Sequence, residues 1–502
     1  MAAMLTSHMT RIRRLALAAV LLAFPIAIAA QQTAPQAAHA YTAAHQPELL
    51  HQFEEFVSIP DVAADPAGLR RNAEFLLDQL RQRGLAAQLL TAPGLPATIP
   101  PIVFGELRTP GATRTLVFYA HYDGQPVTPA EWSSGAPFTP MLKDVDGESR
   151  LYARAAADDK AAIFAQLTAL SALQQSHTPI HANIRFVWEG EEEAGSAHLE
   201  QILDANRKLI SGDLWLVCDG PVDQTRRQTL LFGARGDAHL QITVYGPAVP
   251  LHSGHYGNWA PNPAMMLAQL LASMKDESGR VLIPHFYDGM VPLGPLERQA
   301  LATAPVNDEL LRREFALGHT DGGGQHLLTV INDPSLNING ISSGQTGAHS
   351  TNSIPSTATA SLDLRLVLGI DWKTQQQRVI DFVRSKGYFI TAGEPTKAEL
   401  LNHAKVARVE AEPGENSSRT PMDLPIAADV IQTLRRLYPD IILLPTSGAT
   451  GPLDAMQRAS GAPNIDVPIV NHDDNQHAAN ENLRLKNLWD GVETMAALIV
   501  MP

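Results

Sequence analysis

Thr115-Leu-Val-Phe-Tyr-Ala-His121-Tyr-Asp123 is an apolar strand that runs into an imidazole, and two later stretches repeat the pattern. Ile184-Arg-Phe-Val-Trp188 runs into Glu189-Gly-Glu-Glu-Glu193, and Leu214-Trp-Leu-Val-Cys218 runs into Asp219. Between the first two, Lys160 to Gln175 is rich in Ala and Leu and reads as a helix; Ser196 stands where it can cap a helix running to about Leu209. Strands alternating with helices predict a largely parallel sheet with helices on its faces. In open α/β sheets the carboxyl ends of the strands form the ligand crevice. Side chains far apart in sequence are therefore expected to converge there.

Working outward, residues 68–84 have a helical pattern. Beyond Asp219 the texture changes: Thr229 to Tyr245 and Ala358 to Leu368 alternate as strands, with helical patterns at 262–275 and 371–386. From Leu424 the α/β texture returns, with a helix to Leu437, strands at Ile441 to Leu444 and Val467 to Val470, and a final helix from about Leu483. The expected fold is α/β: a mainly parallel-stranded catalytic domain flanked by helices, residues 46–229 and 411–502, interrupted by an inserted α+β domain over 230–410. Such an insertion returns His477 to the first domain. A length of 502 residues fits two domains rather than one core.

At the N-terminus Arg11, Arg13 and Arg14 precede the apolar run Leu15 to Ala30, which predicts a signal peptide over 1–30 and an exported protein, periplasmic or secreted. An uncleaved membrane anchor is the alternative, but the run is short and holds Pro25. Residues 31–45, rich in Ala, Gln, Pro and His, read as a flexible tether, with no stable membrane span after cleavage. The formal net charge of 38 − 52 = −14 argues against nucleic-acid binding, which needs basic surface. Cys218 is the sole cysteine, which excludes an intrachain disulfide and suits a small buried hydrophobe.

Each chemical signal has a plainer reading beside it. His121 is a metal ligand or a structural histidine, and Asp123, two residues on, points to the same side and can fix the imidazole tautomer. In Arg154-Ala-Ala-Ala-Asp158-Asp159-Lys160 a carboxylate can bridge two metals or merely cap the following helix. The run Glu189 to Glu193 is a solvated acidic loop or a set of carboxylates neutralised by a dication. Asp219 is a ligand or a turn residue. His477 in His477-Ala-Ala-Asn-Glu481 supplies a second imidazole, with His472 as a loop competitor. Two histidines and several carboxylates at strand ends suit zinc, and also cobalt or manganese.

The segments His121-Tyr-Asp123, Arg154 to Lys160, Glu189 to Ser196, Leu251-His-Ser-Gly-His-Tyr-Gly257 and His477 to Glu481 stand in an order that resembles the M20 family of dinuclear metallopeptidases. That family includes carnosinase-like dipeptidases, carboxypeptidases and deacylases, and the resemblance runs from about residue 50 to the C-terminus. It implies two divalent ions, expected to be Zn2+ with Co2+ or Mn2+ as alternatives. Asp158 would bridge them, with His121 and Asp219 on one ion and Glu193 and His477 on the other. It further implies a hydroxide activated by the two metals, Glu192 as general base, Asp123 as the residue that orients His121, and a cis peptide between Asp158 and Asp159. The inserted domain resembles the family's lid and dimerisation domain. His252 matches an oxyanion-stabilising histidine often donated by the partner of a homodimer. Arg365 matches an arginine that grips the substrate carboxylate, and Asn352 and Thr450 match substrate-contacting positions. Ala155 and Ala161 depart from the family, which often has Gly there, and Gly124 stands where an apolar residue is common.

The resemblance implies hydrolysis of dipeptides or short peptides. An N-acyl amino acid deacylase using the same centre is the alternative, and a non-catalytic binding protein a remote one, since Glu192 and all five ligands are present.

Overall fold

Leu116, Phe118 and Ala120 of strand Thr115–His121 enter one buried apolar cluster and Val117 and Tyr119 enter another, so this strand is covered on both faces. The computed structural model describes residues 32–501; the signal peptide expected over 1–30 lies outside them. The strand sits inside an eight-stranded sheet in the order Ala86–Leu90, Ile102–Leu107, Asn183–Glu189, Thr115–His121, Leu214–Val217, Asn464–Asp466, Thr229–Leu231, Ile442–Leu444. The middle run, from Asn183–Glu189 to Asn464–Asp466, is parallel throughout, and antiparallel pairings lie outside it. Helices Ala34–Val57, Lys160–Gln175 and Leu485–Ile499 cover one face, and Leu199–Ala205 and Leu453–Ser460 the other. Register brings the strand ends level: His121 pairs with Glu189, and Tyr119 with Val217, two residues before Asp219.

A second, five-stranded sheet follows the order Ser335–Ser342, Thr357–Leu366, Gly236–Tyr245, Val406–Ala411, Phe389–Thr391. Helices Pro263–Ala272 and Trp372–Ser385 pack on it around a core of its own. The expected single strand Thr229 to Tyr245 is divided. Thr229–Leu231 stays in the large sheet, Gly233–Ala234 pairs with Ser418–Arg419, and Gly236–Tyr245 enters the second sheet. Glycine permits this crossing, because a Cβ on Gly233 would sit 2.1 Å from the Ser418 carbonyl oxygen and one on Gly236 2.3 Å from that of Glu415.

Three further expectations are corrected. Residues 34–45 are no tether: they open helix Ala34–Val57, whose Ala34, Ala37 and Ala38 are buried and whose His39 Nδ1 lies 2.8 Å from Glu493 Oε1 of the C-terminal helix. Alanine has the highest helix propensity, and its small side chain lets two helices approach closely. The strand expected at Val467 to Val470 lies three residues upstream at Asn464–Asp466, since Pro468 has no N–H to give a ladder. Ser196 caps nothing; the chain forms two short helices, Leu199–Ala205 and Arg207–Ile210, with His198 and Asn206 at their starts. Among the described residues no helix is long and apolar enough to cross a membrane.

Candidate metal centre

Five side chains from five stretches meet at the carboxyl edge of the large sheet. His121 Nε2 lies 3.0 Å from Asp158 Oδ1 and 4.0 Å from Asp219 Oδ2. His477 Nε2 lies 3.2 Å from Asp158 Oδ2 and 3.3 Å from Glu193 Oε2. Two metal-competent triads result, His121/Asp158/Asp219 and Asp158/Glu193/His477, each with ligand atoms within 4.8 Å of one another. Asp158 belongs to both and offers a different oxygen to each imidazole. The Asp158–Asp159 peptide is cis, as expected.

Electrostatics describe a cluster crowded with protons. Burial raises Glu193 to about 7 and Asp219 to about 6, and the Asp158 charge adds to both shifts. Burial also pushes Glu192 well above the usual carboxylate range; Asp219, Glu193 and Asp158 add to this against the pull of His121. Hydrogen bonding to Asp158 raises His477 to about 9. Burial opposes the charge on His121, but its bonds to Asp123 and Asp158 prevail and hold it well above the ordinary histidine range. Asp158 lies below the carboxylate range: burial opposes its charge, and the bonds from both imidazoles outweigh that. Buried carboxylates held against protonated imidazoles form a donor set that two divalent cations fit, replacing the protons with fixed positive charge. His121, Asp158 and Asp219 would hold one ion, and Asp158, Glu193 and His477 the other.

Supporting residues fix the ligands. His121 Nδ1 donates to the Asp123 carbonyl at 3.1 Å, which leaves Nε2 facing the cluster. The Asp123 carboxylate, 3.5 Å from Nδ1, accepts the main-chain N–H groups of Glu192 and Glu193 at 3.1 and 2.9 Å. One aspartate thus aligns both His121 and the turn that carries the two glutamates. Gln125 Nε2 donates to Glu193 at 2.7 Å and Gln476 Nε2 to Asp158 at 3.3 Å. Asp466, unrecognised in the sequence, is a third strand-end acid, after Glu189 and Asp219, whose Oδ1 accepts the Asp219 N–H at 3.4 Å. The same strand-end rule would have found it had the strand been placed at 464–466. Cys218 is buried, with its Sγ 3.7 Å from Met495 Sδ.

Two of the departures touch. Ala155 has φ 57°, a left-handed backbone that costs an L-residue about 1–2 kcal/mol. A Cβ on Gly124 would lie 3.3 Å from Ala155 Cβ, so the missing side chain at 124 makes room for the one at 155.

The cluster opens on a cleft of about 610 Å3 lined by Asp158, Glu192, Asp219, Thr450, His472 and His477. A second cleft of about 760 Å3 shares Glu192, Thr450 and His477 and runs outward past Asp237, Lys373 and Glu415. Arg365 Nη1 donates to Thr450 Oγ1 at 2.8 Å, and its Nε to Asp363 at 3.2 Å, so Arg365 stands behind Thr450, which lines both clefts, without lining either itself. His252 and Asn352 come together elsewhere. The short strands Leu251–His252 and Ser353–Ile354 pair, and Ser253 N donates to the Asn352 carbonyl at 2.9 Å. Both side chains are exposed, and neither lines the two clefts.

The fold resembles the M20 family metallo-carboxypeptidase of Sulfolobus solfataricus, with a TM-score of 0.75 and 26% identity over 90% of this chain and 99% of that one. In sequence the chain is 26% identical to the Cys-Gly metallodipeptidase of Candida albicans over 480 residues, 90% of this chain and 94% of that protein. It is 27% identical to the Beta-Ala-His dipeptidase of Homo sapiens over 482 residues, 92% of this chain and 91% of that protein. The profile of peptidase family M20/M25/M40 matches residues 117–501, a span that holds all five clustered side chains, and the chain belongs to that family of hydrolases.

Proposed function

We propose that this protein is an exported two-zinc dipeptidase that hydrolyses dipeptides or short peptides as a homodimer. The observation that carries the reading is the pair of triads sharing Asp158, with Glu192 beside them in the cleft. Two divalent ions in such a centre lower the pKa of a water molecule and polarise the scissile carbonyl. Glu192 takes a proton from the attacking water and delivers it to the leaving amine. Arg365, with Thr450 on its fork, grips the substrate carboxylate. His252, with Asn352 beside it, comes from the partner subunit and stabilises the oxyanion; its exposure on the lid, away from its own chain's clefts, supports that assignment. The mixed imidazole and carboxylate set favours Zn2+ over a hard ion that prefers oxygen alone. Dipeptides are favoured because the relatives in two distant eukaryotes are dipeptidases of different specificity. Export rests on the Arg-rich start and the apolar run Leu15 to Ala30.

The test is hydrolysis of β-Ala-His, Cys-Gly and α-dipeptides against N-acyl amino acids, with and without chelator and added Zn2+, Co2+ or Mn2+. Dipeptide hydrolysis that chelation abolishes and Zn2+ restores is the expected result. Cleavage of N-acyl amino acids with dipeptides untouched would replace this reading with a deacylase.

A further inference from the structure

Glu481 stands four residues past His477 and has no exposed surface. Its carboxylate accepts four donors. Oε2 takes Arg154 Nη1 at 2.8 Å and Ala155 N at 2.9 Å, and Oε1 takes Ala157 N at 2.9 Å and Asp158 N at 3.0 Å. All four lie in residues 154–158, at least 323 positions away in sequence. Arg154 returns the tie by donating to the Ala478 carbonyl at 3.1 Å. Two segments are thereby bolted together: one carries Asp158, shared by both triads, and the other carries His477.

An ion pair made only for stability needs Arg154 alone. Three additional main-chain N–H bonds, one on Asp158 itself, fix the direction of a ligand as well as the position of a loop. The backbone on both sides needs such fixing, since Ala155 and His477 have φ 57° and 61°. We infer that Glu481 is a positioning residue that sets the spacing between Asp158 and His477, and through it the affinity of the Asp158/Glu193/His477 site. The His121/Asp158/Asp219 site gains less, because only one of its members is tied to Glu481. This inference rests on the reading of the cluster as a metal centre.

The test is titration of the metal-free full chain with Co2+, followed by its visible absorption, in wild type, Glu481→Gln and a Glu106→Gln control. Glu106 forms a partly buried ion pair with Arg185 at 2.7 Å, which involves none of the five ligands. The binding step lost in His477→Ala identifies the site that contains His477. Wild type taking up no Co2+ removes the metal-centre reading itself, a failure distinct from the ones that follow. In Glu481→Gln the His477 step is expected to weaken about 10–100-fold, as loss of a ligand's supporting partner does, while the other step weakens less than about threefold. Glu106→Gln lowers the melting temperature and leaves both steps unchanged, which separates positioning from general stability. Glu481→Asp keeps the charge but shortens the reach, and it is expected to give the same asymmetry if the Gln variant does not fold. Affinities unchanged at both sites, or weakened equally at both, overturn the inference.

Discussion

The metal cluster and the His252 corner of the lid, which the proposed function joins into one site, are built on opposite terms. The cluster is gathered within a single chain: His121 has no exposed surface, Asp158 is 4% exposed, and His121, Glu193 and Asp158 are each held by a named partner, while His477 stands exposed at the rim against Asp158 and Glu193. The lid corner is unfinished. His252 rests on a two-residue ladder with its Nδ1 accepting the Gly254 N–H at 3.0 Å, and its ring is exposed beside that of His255. Strand Ser335–Ser342 borders the second sheet with one neighbour, and Ile338, Ile341 and Trp259 stand 41%, 63% and 79% exposed. A free strand edge with exposed apolar side chains is a surface that another chain can cover. The difference teaches that the ligands of the cluster meet within one chain, most of them buried and backed by hydrogen bonds, whereas the His252 corner stands open, and the proposed function completes it by assembly.

The largest effects should come from the finished half. Chelation is expected to abolish hydrolysis, and Zn2+ to restore it. The sign of the pH dependence follows from the metal-free cluster, where Glu193 near 7, Asp219 near 6 and His477 near 9 hold protons that a cation must expel. Falling pH adds competing protons, so metal affinity drops on acidification and climbs as pH rises from 6 towards 9. It should change by about tenfold per pH unit for each proton released, as calorimetry in buffers of different ionisation enthalpy can check. Next is Glu192→Gln, expected to keep both ions and lose about 10²–10⁴-fold in kcat. Turnover close to wild type would remove Glu192 from the chemistry.

The unfinished half calls for a different experiment. His252→Ala is expected to lower kcat about 10²–10³-fold. If His252 serves the partner's centre, subunits carrying Glu192→Gln mixed with subunits carrying His252→Ala form hybrids with one intact site, and activity returns. Proven subunit exchange without recovery would place His252 outside the partner's chemistry and remove the contrast between the two halves.

The finished half was also the legible one. Strands that end on His121, Glu189 and Asp219 are written as apolar runs followed by a ligand, and parallel pairing brings them level. What escaped was written in weaker signals. Asp466 obeys the same strand-end rule, but Val467-Pro-Ile-Val470 mimics a strand better than Asn464-Ile-Asp466 does. The first turns of helix Ala34–Val57 bury Ala34, Ala37 and Ala38, and its large buried side chains, Leu49, Phe53, Phe56 and Val57, come only later, so its start reads as a tether. Glu192 and Glu193 are adjacent and chemically alike, and only family resemblance assigns them different work; in the structure Glu193 falls into a triad with Asp158 and His477. Nothing local in Leu251-His-Ser-Gly reveals where His252 acts, because its ring is exposed and lines neither cleft of its own chain.

Arg365 lies between the halves, on a lid strand but bonded to Thr450 of the cleft, and it gives the smallest and most discriminating effect. Its side chain is 30% exposed, and its guanidinium is already committed on two sides, Nε to Asp363 and Nη1 to Thr450. These bonds aim the fork before substrate arrives, so its contribution should appear in binding rather than in the chemical step. Arg365→Lys keeps the charge but loses the planar fork and one of the two charge-assisted bonds a carboxylate can receive. About 1.5 kcal/mol of lost hydrogen bonding corresponds to about a tenfold rise in KM, with kcat nearly constant. A fall in kcat at unchanged KM would mean that Arg365 acts in the transition state, and would move it from substrate binding to the reacting groups.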